Sequence, residues 1–364
     1  FWQLRFGEGG RFDSNEGRLD DTVTSLSFLP DGKRFLSGTF DGLVTLWGLD
    51  ESHELGIEKL AEFRHHQAKV RDVAVAIDGR WAVAGSPDKS LSVWALGPAG
   101  TGRLQDPVVV ETGGQYPYGV AVHPHGPFVA VGGENELQVY RVHRDKLSQG
   151  QRLRESVLTR SIAAPELDRP AIAGRWVSDT ELQVIEDDGT VASWTVGATD
   201  VQRGGDLLPA ATGKGGYLAA FVGDAVVHLL AEGGLLVRSL DGSKSESLDP
   251  FGGKPGSAVA VRGSCVLVAG AGGLVSGIWE ATGLRLSPPV PVSLKTVRTL
   301  AIAPAGAVVV AGTREGAAGV ILRGQLDLES CALSPALGSD SMKTPAVPTS
   351  SVLSQVGYPG GGGP

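Results

Sequence analysis

Short apolar runs alternate with turn-forming residues along most of the chain. The runs VTSLSF (residues 23–28) and RFLSGT (34–39) are separated by the turn signal PDG, and the same order returns in VRDVAV (70–75) and WAVAGS (81–86) around IDG. Runs of this length, bounded by glycine, proline and aspartate, are typical of strands. No helical period is sustained over ten residues, so the pattern predicts an all-β fold of many short strands.

One spacing recurs at a regular interval. An aspartate stands six residues before a tryptophan in GTFDGLVTLWGL, with Asp41 and Trp47, and again in GSPDKSLSVWAL, with Asp88 and Trp94. Aligned on this spacing, the chain divides into seven units, whose aromatic slots fall at residues 47, 94, 140, 194, 238, 279 and 321. Intervals of 41 to 54 residues are typical of a four-stranded propeller blade. The sequence therefore predicts a seven-bladed β-propeller.

The two ends of the chain set the limits of this prediction. The segment FWQL at residues 1–4 places Trp2 45 residues before Trp47, like the third strand of a further unit. It predicts either a strand that closes the ring on the last blade or an eighth blade cut from a larger array, and we favour closure because it removes exposed sheet edges. Residues 1–332 are thus predicted to form the propeller, with degenerate blades in its C-terminal half, and residues 333–364 a disordered tail rich in proline, serine and glycine.

Composition narrows the classes of partner. The 364 residues carry a formal charge of −8, which disfavours a nucleic acid held by neutralised phosphates, and no apolar run has the length of a membrane helix.

Residues 141–169 form an enlarged connection with seven Lys or Arg against four Asp or Glu, which we interpret as a solvated outer strand and loop, with a short helix as the alternative. Two cysteines are too few for a disulfide framework or a four-ligand zinc site, and they fit a reducing compartment. No signal peptide is visible, and we expect a cytoplasmic location.

The most complete set of polar residues lies in the second unit. His66 precedes the strand that opens at Val70, and Ser86, Asp88 and Trp94 follow. The pattern resembles the WD-repeat family, in which a His, a Ser or Thr, an Asp and a Trp of one blade form a hydrogen-bonded chain. The resemblance spans roughly residues 1–330, but the other units keep only part of the pattern. The partial copies are Thr39, Asp41 and Trp47, with Leu19 where the histidine belongs, and the pair Asp188 and Trp194.

Ser86, His66 and Asp88 also have the residue types of a nucleophilic triad. The alternative is a structural network, in which the carboxylate accepts hydrogen bonds from the imidazole and from turn amides. Repeated partial copies favour the structural role, because several blades need bracing whereas one active site needs no copies. No Gly-x-Ser-x-Gly elbow occurs to expose a serine. We therefore expect no catalytic residues in this set.

Other motifs give little support for a metal or a cofactor. HPHG at residues 123–126 has His-x-His spacing but aligns with a turn, and TGKGG at 212–216 lacks the hydroxyl residue and the glycine spacing of a phosphate loop. The spacing from aspartate to tryptophan is six residues, whereas sialidase-like propellers use five. We expect no metal and no cofactor.

The resemblance implies a docking face at one end of the ring. In WD-repeat propellers, partners commonly bind where the outer-to-first-strand loops and the second-to-third-strand turns meet. The alignment places Phe40, Arg71, Tyr118 and Arg298 there. Aromatic residues and arginine carry much of the energy of protein interfaces, although ordinary strand-end residues are the alternative.

The resemblance also implies a function. We expect a non-catalytic scaffold or sensing module that binds other proteins or other domains of the parent chain, and neither nucleic acid nor membrane. WD-repeat arrays in bacteria are often attached to signalling proteins, and the chain looks like such a bacterial domain cut from a larger protein. The alternative is a hydrolase or lactonase-like enzyme with a site in the central channel. That enzyme would need several acids or histidines at the starts of the first strands.

Overall fold

Twenty-eight β-strands account for the regular structure in the described part of the chain, and they form seven four-stranded sheets. The computed structural model describes residues 21–50, 56–97, 107–113, 116–134, 136–143, 158–162, 167, 169–197, 200–211, 218–271, 273–290, 297–304, 308–315, 318–327 and 329–333. Among these residues, no helix has the length and hydropathy needed to span a membrane.

Each sheet consists of four strands that follow one another in the chain. The first three sheets contain β1 (Val23–Phe28), β2 (Arg34–Thr39), β3 (Leu43–Asp50) and β4 (Gly56–Arg64); β5 (Asp72–Val75), β6 (Trp81–Ser86), β7 (Ser90–Ala95) and β8 (Val108–Glu111); and β9 (Gly119–Val122), β10 (Phe128–Gly132), β11 (Leu137–Val142) and β12 (Leu158–Ile162). The fourth and fifth sheets contain β13 (Ala171–Trp176), β14 (Glu181–Glu186), β15 (Val191–Val196) and β16 (Val201–Leu208); and β17 (Leu218–Val222), β18 (Ala225–Leu229), β19 (Leu235–Ser239) and β20 (Ser245–Leu248). The last two sheets contain β21 (Gly256–Arg262), β22 (Cys265–Gly270), β23 (Gly273–Glu280) and β24 (Gly283–Leu286); and β25 (Val297–Ile302), β26 (Val308–Glu315), β27 (Ala318–Asp327) and β28 (Ala332–Leu333).

The PDG signal between β1 and β2 shows how the sequence sets the strand register. Gly32 has a φ of +66°, a conformation that glycine adopts without the steric cost of a side chain. The Asp31 carboxylate accepts the backbone N–H of Arg34 at 3.0 Å, which fixes the turn. The antiparallel pairing then begins with Phe28 opposite Phe35.

The first strands of the sheets stand side by side around a central channel. Contacts run from β1 through β5, β9, β13, β17, β21 and β25, and β25 packs back on β1. Glycines near the ends of second strands allow a close approach between neighbouring sheets. A Cβ at Gly38 would lie 2.5 Å from Val70 Cγ1 of the second sheet, and a Cβ at Gly312 would lie 2.5 Å from Val23 Cγ1 of the first. Among the described strands, the ring therefore closes by packing, without a strand shared between the first and last sheets.

The core divides differently from the sheets. Six hydrophobic clusters fill the spaces between neighbouring sheets in the described residues. Five clusters each join two sheets, whereas one joins the sixth, seventh and first sheets and includes Leu267, Leu300 and Trp47. The seventh sheet shares one cluster with both neighbours because its described core residues lie mainly on β25, between the two. Counted by its hydrophobic clusters, the described part of this all-β propeller has six units, so the prediction of a seven-bladed propeller, with eight blades possible, is wrong.

Several predicted segments fall outside the described residues. These include FWQL at residues 1–4, most of the 141–169 connection and nearly all of the 333–364 tail. The last sheet takes its outer strand, β28, from the residues that directly follow β27. The domain boundaries and the role of FWQL stay predictions.

The two cysteines differ from the sequence expectation. Cys265 of β22 and Cys331 form a disulfide, although they are 66 residues apart in the chain, because the adjacent sixth and seventh sheets bring their Cα atoms to 5.5 Å. Both residues are buried. The pair therefore gives no support for a reducing compartment.

Candidate functional site

His66 lies at the centre of a buried hydrogen-bonded network in the second sheet. Its Nδ1 is 3.0 Å from both Asp88 Oδ2 and Ser90 Oγ, and its Nε2 is 2.7 Å from Ser92 Oγ. Asp88, in the turn between β6 and β7, also accepts the backbone N–H of Gln67 at 2.8 Å. The network therefore fastens the connection after β4 to the β6–β7 turn.

Ser86 joins this network through the turn and not through the imidazole. Its hydroxyl donates to the Ala68 carbonyl at 3.2 Å and accepts the N–H of Asp88 at 3.2 Å. The serines that contact His66 are Ser90 and Ser92, which the sequence alignment did not single out. These two serines are two residues apart in SLSVW, and this spacing places both side chains on one face of β7. It is the sequence feature that could have identified them.

The tryptophans of the first two sheets are satisfied differently. Trp47 donates its indole N–H to Ser37 Oγ at 2.8 Å. Trp94 is equally buried, but its N–H has no hydrogen-bond partner among the described residues. The residue ten positions before Trp94 is Ala84, which has no hydroxyl, whereas Ser37 holds that place in the first sheet. The predicted hydrogen-bonded network is therefore divided between two sheets. The first sheet has the bond of the indole, and the second sheet has the bonds of the imidazole.

The first sheet replaces the missing histidine with an arginine. Asp41 Oδ1 accepts the Thr39 hydroxyl at 2.5 Å, and its Oδ2 lies 2.5 Å from Arg64 Nη1. Burial raises the pKa of the Asp41 carboxyl, but hydrogen bonds from Thr39 and Arg64 outweigh it and lower the pKa. Arg64 matches no local motif, because its partner Asp41 is 23 residues away in the chain.

The fourth sheet repeats the substitution of arginine for histidine. Arg169 Nε lies 2.9 Å from Asp188 Oδ2, and Asp188 Oδ1 accepts the backbone N–H of Thr190 at 2.9 Å. Trp194 is fully buried, and its N–H has no partner among the described residues. Val184 stands ten residues before it, so no hydroxyl is available there.

The fifth sheet places a buried cation in the aromatic slot. Arg238 Nη2 lies 3.3 Å from His228 Nε2, and its Nη1 donates to the carbonyl of Pro209 at 2.7 Å. Arg238 also donates to the Gly189 carbonyl in the fourth sheet. Burial, followed by the nearby Arg238 charge, lowers the pKa of His228 to about 3. The pair therefore connects two sheets and keeps His228 neutral at physiological pH.

The electrostatics of the second-sheet network favour an ionised aspartate. Burial raises the pKa of Asp88, but hydrogen bonds from His66, Ser90 and the Gln67 amide together lower it to about 2. His66 is only 5% exposed and Ser92 is fully buried, so neither group meets a substrate at the surface. The arrangement can brace a blade, whereas it does not present a nucleophile.

The central channel holds few groups that could perform chemistry. A cavity of about 580 Å³ is lined by residues from the first strands of the seven sheets. Asp72 is its one acid among the described lining residues, and its carboxylate accepts the Ser25 hydroxyl at 3.1 Å and the Val120 amide at 3.0 Å. These bonds link three first strands, which indicates a structural use of the acid.

The predicted docking residues lie at one end of the ring, but they are not equally exposed. Phe40, in the β2–β3 turn, is 43% exposed, whereas Arg71 is only 9% exposed. The Arg71 guanidinium lies 4.5 Å from the centre of the Tyr118 ring, so these two side chains contact each other. Arg298 occupies the corresponding place on β25, where the pairing with β26 shifts register.

The two histidines of HPHG do not converge. His123 is buried and accepts the backbone N–H groups of His125 and Gly126 at its Nδ1, at 3.0 and 2.5 Å, as expected for a turn. Its ring packs edge-on against Trp176 at 4.6 Å. The described residues contain no group of three His, Cys, Asp or Glu side chains that could hold a metal ion.

The seven sheets, arranged in a ring around a central channel, define the class of fold, a β-propeller. Residues 14–48 and 57–95 match the family described as WD domain, G-beta repeat. These two segments correspond to the first and second sheets, where the network and its partial copy lie.

Two proteins that are similar in sequence to part of this chain come from fungi. Protein HIR1 of Cryptococcus neoformans var. neoformans serotype D is 33% identical over 105 residues, which are 26% of this chain and 12% of that protein. Probable cytosolic iron-sulfur protein assembly protein 1 of Kluyveromyces lactis is 33% identical over 86 residues, 21% of this chain and 26% of that protein. The chain thus spans about an eighth and about a quarter of these two relatives.

A solved structure extends the likeness to most of the chain. The β-propeller domain of Cps50 (Swd1) from Myceliophteria thermophila superposes with a TM-score of 0.63 and 15% identity, covering 85% of this chain and 99% of that one. At this identity the likeness concerns the fold alone.

Proposed function

We propose that the chain is a non-catalytic interaction module that binds other proteins, or other domains of its parent chain, at the end of the ring that carries the β2–β3 and β6–β7 turns. The observation that carries this proposal is the division of roles between neighbouring residues. Asp41 and Asp88 are engaged in bonds within the fold, whereas Phe40, directly beside Asp41, exposes an aromatic ring. Exposed aromatic residues beside cations are typical of binding surfaces.

The arrangement of the channel supports a non-catalytic role over the hydrolase alternative. A hydrolase would bring several acids or histidines together at the starts of the first strands. The residues there include Thr24, whose hydroxyl donates to the Val70 carbonyl at 2.6 Å, and Arg71, which stacks on Tyr118. The channel acid Asp72 is held by Ser25 and the Val120 amide.

The cellular setting of the module is also a proposal. We place it in the cytoplasm, as one domain of a larger signalling protein. The name of the Kluyveromyces lactis relative includes the word cytosolic. The matched segment is only 12% of the Cryptococcus neoformans relative, which is therefore much longer than this chain. The expectation of a bacterial source rests on the single methionine and the high glycine content of the chain, whereas the relatives described above are fungal.

The test is a capture experiment with a matched control. Three proteins are immobilised and exposed to an extract of the parent organism. They are the unchanged chain, the double variant Arg71→Ala/Tyr118→Ala, and the control Ile77→Ala/Arg80→Ala, which lies at the opposite end of the second sheet. We expect partners that are retained by the chain and by the Ile77/Arg80 variant but lost by the Arg71/Tyr118 variant. Arg71 is buried, so each variant's melting temperature is measured first and an Arg71→Lys/Tyr118→Phe variant serves if the first unfolds. Equal retention by all variants would remove this face from the proposal, and retention of no partner would remove the interaction role.

A further inference from the structure

Three pairs of a cation and an aromatic ring lie on the turns and connections of the first three sheets. Lys69 Nζ lies 5.7 Å from the centre of the Phe40 ring, and Lys89 Nζ lies 5.0 Å from the centre of the Tyr116 ring. Between them, the Arg71 guanidinium lies 4.5 Å from the centre of the Tyr118 ring. We call this set the cation–aromatic strip, and in order around the ring it consists of Phe40, Lys69, Arg71, Tyr118, Tyr116 and Lys89.

The backbone holds the strip at one end of the propeller. The Val70 amide, next to Lys69, donates to the Thr39 carbonyl, next to Phe40, at 2.9 Å. The Arg71 amide donates to the carbonyl of Gly85 at the end of β6. The strip therefore lies on the connections between sheets and on the turns of two blades, and backbone hydrogen bonds hold the segment that carries Lys69 and Arg71.

The outer members of the strip are accessible. Phe40 is 43% exposed and Tyr116 is 39% exposed, and Lys89 is also exposed. Arg71 is buried, with its guanidinium against the Tyr118 ring. A partner that lies along the strip would meet two aromatic rings and two lysines at the surface, with an arginine below.

The charge of the strip contrasts with that of the whole chain. Three cations lie within this short surface, whereas the chain as a whole carries −8. Lys69 and Arg71 are two residues apart, and burial, followed by the Arg71 charge, lowers the pKa of the Lys69 ammonium. An anionic group placed between these two cations would relieve their repulsion, and it would also retain the contacts that each makes with a ring.

From this geometry we infer that the cation–aromatic strip binds an acidic peptide segment of a partner protein, whose carboxylates contact Lys69 and Lys89 and whose apolar side chains cover Phe40 and Tyr116. This inference rests on the proposed function, because it names the chemistry of the partner that the interaction module would bind.

A peptide fits the strip better than a nucleic acid does. Binding to a nucleic acid depends on neutralising many phosphates in a row. Only three cations are present here, and the acids Glu111 and Glu136 lie on the neighbouring β8 and just before β11. A short peptide with a few carboxylates among apolar residues matches both the charge and the exposed rings.

The test uses a fluorescein-labelled peptide of twelve residues in which Asp and Glu alternate with Leu. Fluorescence anisotropy measures its affinity for the whole chain, for Lys69→Glu/Lys89→Glu, for Phe40→Ala/Tyr116→Ala, and for the control Lys33→Glu/Arg80→Glu. The control reverses two exposed cations at the opposite end of the same two sheets, so it changes the net charge equally. We expect affinity to fall by about tenfold or more in the first double variant and about three- to tenfold in the second, with the control within about twofold of the chain.

Three comparison probes decide between the alternatives. A peptide with Lys in place of the acids should not bind, and a peptide with Ser in place of Leu should bind more weakly than the acidic Leu peptide. Equal losses for the control and the Lys69/Lys89 variant would overturn the inference, and so would tighter binding of a twelve-nucleotide single-stranded DNA. If the acidic peptide fails but the capture experiment still shows partners lost in the Arg71/Tyr118 variant, the inference fails and the interaction role stands.

Discussion

Trp47 donates its indole N–H to Ser37 across the first sheet, at 2.8 Å and with both residues buried. The equivalent pair in the second sheet is Trp94 and Ala84, and there the indole N–H has no described partner. An unsatisfied buried donor costs free energy, because its hydrogen bond to water is lost without replacement. The two sheets therefore offer a direct comparison of one hydrogen bond in two nearly equivalent places.

Ala84→Ser should give the Trp94 indole an acceptor and raise the free energy of unfolding by about 0.5–1 kcal/mol. Urea unfolding followed by tryptophan fluorescence measures the change. The matched reverse change, Ser37→Ala, should lower the free energy of unfolding by about 1–2 kcal/mol. A loss of stability in Ala84→Ser of the same size as in Ser37→Ala would show that the added hydroxyl does not reach the indole.

Asp88→Ala should lower the free energy of unfolding by about 1–3 kcal/mol, because it leaves the His66 and Ser90 donors of a buried network unsatisfied. The control is Asp78→Ala, an exposed turn aspartate of the same sheet. We expect that control to have less than half the effect. An unchanged melting temperature in Asp88→Ala would contradict the bracing role of this network.

The contribution of the Asp88 charge should depend on pH. The pKa of Asp88 is about 2 in the folded protein, below the usual value of 3.8, so its ionised form stabilises the fold. That stabilisation is fully present above about pH 4 and is lost as the pH falls through about 2. Urea unfolding of the chain and of Asp88→Asn between pH 7 and pH 2 should therefore show a stability difference that narrows below pH 4. A difference that stays constant down to pH 2 would rule out the charge as its source.

His228 should make the protein sensitive to mild acid. Its pKa is about 3 in the folded protein but about 6.5 when unfolded, so the unfolded chain binds the proton more readily. Stability should be complete above pH 6.5 and should fall by up to about 1.4 kcal/mol per pH unit between pH 6.5 and 3. His228→Gln should reduce that slope, whereas His125→Gln, at an exposed position, should leave it unchanged. Equal slopes in both variants would contradict the buried Arg238–His228 pair.

The disulfide should stabilise the part of the ring that contains the seventh sheet. Because Cys265 and Cys331 are 66 residues apart, linking them restricts a long loop in the unfolded chain, which is typically worth about 2–4 kcal/mol. Reduction should therefore lower the melting temperature of the chain, while the same reductant should not affect Cys265→Ala/Cys331→Ala. Calorimetry with and without reductant measures this, and no shift in the chain would show that the two thiols are not joined in solution.

The sequence predicted the propeller well because its turns and strands are local. PDG signals, strand lengths and the spacing from aspartate to aromatic residue are readable over a few positions, and the four-stranded sheets follow from them. The way in which the core is shared was not predictable. Whether the seventh sheet forms its own cluster depends on contacts of β25 with both β21 and β1, which are distant in the chain.

The site shows the same division between local and distant signals. His66 and Asp88 were found from their spacing, and they contact each other. Arg64 and Arg238, which take over the polar roles in other sheets, do not match the family pattern. Arg64 contacts Asp41, 23 residues away, and the carbonyl groups that Arg238 binds lie 29 and 49 residues away. The burial of Arg71 was missed for a similar reason, since it depends on Tyr118 of the next sheet.

The closure of the ring between Gly312 and Val23 has a consequence for the order of the chain. Every described sheet is made of consecutive strands. The boundary between the seventh and first sheets is packed like the others, through β25 and β1, although no covalent connection crosses it. A circularly permuted chain that joins residue 333 to residue 21 through a linker, and opens between another pair of sheets, should keep the same arrangement. The identity of each blade is thus set by its neighbours in space and not by its order along the chain.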